Sequence, residues 1–141
     1  MEFIIQTLKP YIDAHFRTKP ERKHTHIAGS SMGGLVSLYG ALHFANIFGS
    51  AGIFSPALWL VPNALNQLQS IAAQNEQYPQ RFYFYGGARE GCQMVENIGK
   101  MVDMLAQYPY YKMTIAIDGE GEHSEEHWRD KFAHYYTWII K

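Results

Sequence analysis

The amino-acid sequence predicts an α/β fold of about four parallel strands with helices on both faces, built as a single domain over residues 1–141. Three observations predict it. Short apolar runs of strand length alternate with segments whose apolar residues recur every three or four positions, in the order helix, strand, helix, strand, helix, strand, helix, strand, helix. The helical segments between strands are long enough to be crossovers, which join parallel rather than antiparallel neighbours. A content of 47% hydrophobic and 15% aromatic residues is ample for one packed core.

Phe3, Ile4, Leu8, Tyr11, Ile12, His15 and Phe16 mark an opening amphipathic helix, in which Pro10 should produce a kink. A polar connection from Arg17 through Pro20 leads to a strand of roughly His24 to Ala28. Leu35, Val36, Leu38, Tyr39, Leu42 and Phe44 suit a helix buried on more than one side. Phe48 to Phe54 reads as the second strand and ends at Ser55-Pro56-Ala57, where Pro56 stops ladder pairing. The apolar loop Leu58 to Val61 either lines a pocket or covers the core, and a more polar helix runs from Pro62 to about Gln74. Arg81 to Tyr85 is the third strand and opens into Gly86-Gly87-Ala88-Arg89-Glu90-Gly91. Met94, Val95, Ile98, Met101, Val102 and Leu105 set out the next helix, and Met113 to Ile117 the fourth strand. After the loop Asp118 to His123, the residues Trp128, Phe132, Tyr135, Tyr136, Ile139 and Ile140 form a stripe on the last helix. The methionine and aromatic stripes of these two helices read as core.

Composition excludes several function classes. Twelve basic against thirteen acidic residues leave a net charge of −1 without any basic run, so no nucleic-acid partner is expected. The single Cys92 forms no intramolecular disulfide, and no segment is long and apolar enough to span a bilayer. Without the charged-then-apolar order of a signal peptide, the cytoplasm is the default compartment; a further N-terminal segment could instead direct the chain to the periplasm or outside.

The chemistry concentrates where the first strand stops. Gly29, Ser31 and Gly33 match G-x-S-x-G, a strained strand-to-helix turn that lifts a serine hydroxyl above the sheet, with both glycines expected to relieve crowding. The first N–H groups of the following helix can support developing negative charge. A serine needs a neutral imidazole to take its proton, and the imidazole needs a carboxylate to fix its tautomer. Ser31, Glu90 and His123 occupy successive loops at the carboxyl ends of strands, in the order serine, acid, histidine. Glu96, Asp118 and Glu122 are the alternatives for the acid. A competing pattern, His123-x-x-Glu126-His127, matches an inverted zinc-hydrolase signature, although Ser124 with Glu125 and Glu126 reads better as a helix cap.

The runs Thr25 to Gly34, Ile53 to Trp59, Gly87 to Gly91, and His123 with Trp128 together resemble the putative-esterase family of α/β-hydrolases, which includes enterobactin-type siderophore esterases. The resemblance implies a partial α/β-hydrolase fold hydrolysing carboxylic esters through an acyl-serine. Ser31 is then the nucleophile, His123 the base and Glu90 the acid, with no metal or organic cofactor and a small-molecule ester as substrate. It also implies Met32, Gly29 and Trp59 as oxyanion or substrate-contacting positions. Members are longer at the front, so the resemblance implies that the first strands and one oxyanion donor are missing. The exposed edge of the nucleophile strand would then accept a second copy or a complementing chain.

Overall fold

The computed structural model describes residues 1–61 and 63–141; the expected helix start at Pro62 lies outside them. Four strands, β1 (His26–Ser30), β2 (Ser50–Phe54), β3 (Gln80–Gly87) and β4 (Tyr111–Asp118), pair in the order β1-β2-β3-β4, all parallel. The register sets His26 opposite Ser50, Ser50 opposite Arg81 and Gln80 opposite Tyr111. Five α-helices accompany them among the described residues: α1 (Lys9–His15), α2 (Met32–His43), α3 (Ala64–Ala72), α4 (Cys92–Ala106) and α5 (Glu125–Ile139).

Strands that advance in one direction through right-handed crossovers carry their connecting helices on one face. So it is here: Leu38 and Leu42 of α2, Leu68 of α3 and Met94, Ile98, Met101 and Leu105 of α4 bury against Ile53, Phe82 and Phe84. Full burial of a leucine such as Leu38 is worth about 1.5–3 kcal/mol. The opposite face is covered, among the described residues, by α5, whose Tyr135 packs with Phe54, Tyr83 and Tyr85. The aromatics of β3 thus divide by strand alternation, Phe82 and Phe84 to one layer and Tyr83 and Tyr85 to the other.

Two expectations need correction. The methionine stripe of α4 is core, but on α5 only Tyr135 is buried; Phe132, Tyr136 and Ile140 are exposed. The reason is placement: α5 lies over β2 and β3 and leaves one side of its stripe uncovered. Helix α2 likewise exposes Val36 and Tyr39, while Gly34, Ser37, Leu38, Gly40, Ala41 and Leu42 are buried around more than one side of it. The opening segment packs through Met1, Ile4 and Ile5, whereas Phe3, Leu8, Tyr11 and Phe16 face outward. There Phe3–Leu8 is a π-helical stretch that changes to α register at Lys9, with Pro10 in the first turn of α1.

Buried amides close the carboxyl end of α2. Gln80 Nε2 donates to the carbonyls of Ala41 (2.8 Å) and Phe48 (2.9 Å), and Asn75 Nδ2 to that of Leu42 (2.8 Å), supplying partners a helix end lacks. At the amino end of the sheet, His26 Nδ1 lies 2.7 Å from Ser50 Oγ, and burial, reinforced by His24 and Arg81, pushes its pKa below 6.5. Burial lowers His43 in the same direction. Because the unfolded chain takes up these protons first, stability is full above the unfolded value of 6.5 and declines as pH falls from there toward the lowered folded values. Urea midpoints measured from pH 8 to pH 5 should drop over that interval, and His26→Gln should flatten the drop.

Candidate active site

The elbow is built from backbone constraints. Ser31 sits at φ 53°, ψ −117°, a conformation a non-glycine residue rarely adopts. Its N–H donates to the Phe54 carbonyl at 2.9 Å, and its own carbonyl accepts from Leu35 (3.1 Å) and Ala57 (3.0 Å). The serine is therefore pinned between α2 and the exit of β2. A Cβ on Gly29 would lie 2.6 Å from the Gly33 carbonyl carbon, so Gly29 allows α2 to start against the strand. Gly33, expected to relieve crowding, has open space where a Cβ would be; Gly34 has the tight position, 2.8 Å from the Phe54 carbonyl. Met32 opens α2, so its N–H is a helix-start donor with no intrahelical acceptor.

The acid and the base arrive from the next two loops. After β3 the chain makes a 3₁₀ turn over Ala88–Glu90, and Gly91 at φ 98° turns it into α4, a conformation that favours glycine. The Glu90 side chain is fully buried, and Oε1 accepts from the Gly87 N–H and the Ser55 hydroxyl, each at 2.6 Å. Glu90 Oε2 lies 2.6 Å from His123 Nδ1, and His123 Nε2 lies 2.9 Å from Ser31 Oγ. A carboxylate only accepts, so Nδ1 carries the proton and Nε2 is left to accept from the serine. Ser31, His123 and Glu90 thus form one continuous hydrogen-bonded line across three loops.

The two loops behind that line meet backbone to backbone. The Arg89 N–H donates to the Gly121 carbonyl at 3.0 Å, and Arg89 pairs with Glu120. Around the imidazole, Trp128 packs edge to face at 4.8 Å between ring centroids and Trp59, half exposed, at 5.7 Å. Deeper in, the Tyr85 hydroxyl is buried and its pKa is pushed up to about 12, first by burial and then by the nearby Asp118 and Glu90 carboxylates.

Two of the rival acids are engaged elsewhere. Asp118 pairs with Lys131 at 2.9 Å, which holds its pKa below 3.8, and Glu96 pairs with Lys100 at 2.6 Å. Glu122 is exposed. Ser124 caps α5, its hydroxyl accepting from the His127 N–H at 3.5 Å and lying 3.0 Å from His127 Nδ1. His123 and His127 therefore engage different partners, and no group of three potential metal ligands is present among the described residues. No helix among them is long and apolar enough to cross a membrane. Two members of the site, Ser55 and the Trp128 indole N–H, were not singled out for it by the residue pattern. The available signal was position, because Ser55 directly follows β2 on the same carboxyl edge that carries Ser31, Glu90 and His123.

A parallel sheet whose carboxyl-end loops bring up serine, acid and histidine in that chain order defines an α/β-hydrolase fold. The chain belongs to the putative-esterase family, whose model matches residues 1–139. No curated protein matches it in sequence. Among solved structures, it is similar to a BES protein from Bacillus cereus, with a TM-score of 0.83 and 20% identity, covering 98% of this chain and 52% of that one. Enterochelin esterase from Shigella flexneri gives a TM-score of 0.81 and 20% identity, covering 98% and 36%. An S-formylglutathione hydrolase from Agrobacterium tumefaciens gives 0.74 and 19%, covering 98% and 55%. The chain thus spans little more than half the length of most of these structures, and the likeness shows the fold.

Proposed function

We propose that the protein is a serine hydrolase of carboxylic esters or thioesters. The observation that carries this reading is the unbroken path from Ser31 Oγ through the two nitrogens of His123 to the buried Glu90 carboxylate. In the proposed reaction Ser31 Oγ attacks the carbonyl carbon while His123 Nε2 takes its proton. The Met32 N–H stabilises the developing oxyanion, with Gly29 keeping α2 close enough to present it. The imidazolium then gives the proton to the departing alcohol as the bond from the acyl carbon breaks, leaving an acyl-serine. Water repeats the sequence, releasing the acid and restoring Ser31. Glu90 holds the ring in the required tautomer and balances its transient charge. Trp59, half exposed beside the imidazole, offers an apolar surface to the substrate.

The test is covalent labelling by a fluorophosphonate, read by mass spectrometry. Wild-type protein should gain one adduct on Ser31, and Ser31→Ala should gain none. A folded wild type left unlabelled would instead favour a second reading, a non-catalytic module. That reading draws on β1 lying at an edge of the sheet beside the exposed Phe132 and Tyr136 of α5, where a second copy or complementing chain could pair.

A further inference from the structure

Glu90 is a fully buried carboxylate whose charge meets no lysine or arginine among the described residues; its oxygens are satisfied by the Gly87 N–H, the Ser55 hydroxyl and the His123 ring. Ser55 is the unusual partner. It is completely buried and sits at φ 44°, a conformation that a serine rarely adopts. Its N–H is held by the Tyr85 carbonyl at 2.8 Å. Its hydroxyl meets two groups, Glu90 Oε1 at 2.6 Å and the indole Nε1 of Trp128 at 2.9 Å.

These two contacts have a fixed sense. An indole N–H can only donate, so Ser55 Oγ accepts from Trp128, and the hydroxyl proton is free to point at Glu90 Oε1. With Oε1 held by two donors, Oε2 is presented to His123 Nδ1. Trp128 also packs edge to face against the imidazole it indirectly anchors, so both ends of the His123–Glu90 bond are braced by one side chain from the first turns of α5.

Resting on the serine-hydrolase reading of the site, we infer that Ser55 and Trp128 are positioning residues. They form a relay in series, Trp128 to Ser55 to Glu90, that sets the orientation of His123. Neither touches the reacting atoms. Because the two act in series, cutting the first link should add nothing once the second is gone.

The experiment compares wild type, Ser55→Ala, Trp128→Phe and the double variant by two readouts. The first is the rate of fluorophosphonate labelling across pH. The second is the downfield Nδ1–H resonance of His123 in nitrogen-15 histidine-labelled, unreacted protein, assigned by its loss in His123→Ala. Ser55→Ala is expected to slow labelling by roughly 10- to 100-fold and to move the resonance upfield with faster solvent exchange. Trp128→Phe keeps the ring and should show a smaller change of the same kind, and the double variant should match Ser55→Ala. A folded Ser55→Ala with unchanged rate and unchanged resonance overturns the relay, as does a double variant equal to the product of the two singles. If Ser55→Ala does not fold, Trp128→Phe decides alone: an unmoved resonance is fatal, and a moved one at unchanged Tm supports the relay. A wild type that resists labelling defeats the hydrolase reading, while the resonance still decides the positioning claim.

Discussion

On the proposed serine-hydrolase reading, replacing His123 with alanine is expected to lower kcat/KM on a short nitrophenyl ester by about four to six orders of magnitude. Among the described residues the imidazole is the only group within hydrogen-bonding distance of Ser31 Oγ that can take its proton, and Nε2 is directed there because Nδ1 is committed to Glu90. Without it the hydroxyl must lose its proton to water, and the acyl-enzyme loses its base as well. Since nucleophile and base act as one unit, Ser31→Ala combined with His123→Ala should be no slower than the worse single variant. The fold should bear the change, because His123 is one-third exposed. What remains strained is Glu90, which keeps its burial and loses one of its donors, at a cost of about 1–3 kcal/mol. A modest fall in Tm with near-total loss of turnover is the expected pairing. A folded variant that hydrolyses at the wild-type rate removes His123 from the mechanism.

The second large effect is expected from a single methyl group. Gly87 and Gly121 bring the loop of the acid and the loop of the histidine into backbone contact: a Cβ on Gly87 would fall inside the Gly121 carbonyl, and one on Gly121 would lie 2.6 Å from the Tyr85 hydroxyl and 2.8 Å from Gly87 Cα. These neighbours are mostly main chain and cannot rotate aside. Gly87→Ala should therefore cost about 1–3 kcal/mol in stability or more, and the loops should part to make room. A shift near 1 Å at the His123–Glu90 bond is enough to slow the reaction by about 100-fold. Gly33→Ala is the control, since that position has open space and lies in a helix, where alanine is favoured over glycine. It should leave the urea midpoint unchanged or raised. Equal midpoints for both variants would show that the loops accommodate the methyl group and that the close approach does not set the geometry.

The contrast between Gly33 and Gly34 illustrates how far pattern reading reaches. The G-x-S-x-G spacing located the turn correctly, yet the assignment of crowding to Gly33 followed from the pattern rather than from the contacts. Only the path of β2 places the Phe54 carbonyl over Gly34 and leaves Gly33 open. Helix α5 gives a similar lesson. Its residues at helical spacing marked an apolar stripe, but a stripe records what could be buried. Which part is covered depends on where the helix rests, and here Tyr135 is buried against β2 and β3 while Phe132, at the rim beside Phe54, and Tyr136 stay exposed. Strand ends moved by a residue or more, β1 to His26–Ser30 and β4 to Tyr111–Asp118, because pairing partners set ladder limits that local composition does not encode.

Local chemistry along the chain was sufficient to identify the parallel α/β architecture, the elbow at Ser31, the cap at Ser124 and the three loops from which a hydroxyl, a carboxylate and an imidazole would come. These depend on periodicity, glycine placement and chain order, all carried by neighbouring residues. The contact of Glu90 with His123, the bond from Ser55 to Glu90 and the reach of the Trp128 indole across to Ser55 were decided only in three dimensions. Each joins residues tens of positions apart, and such pairings follow from the register of the sheet and the docking of α5, quantities that no single segment specifies.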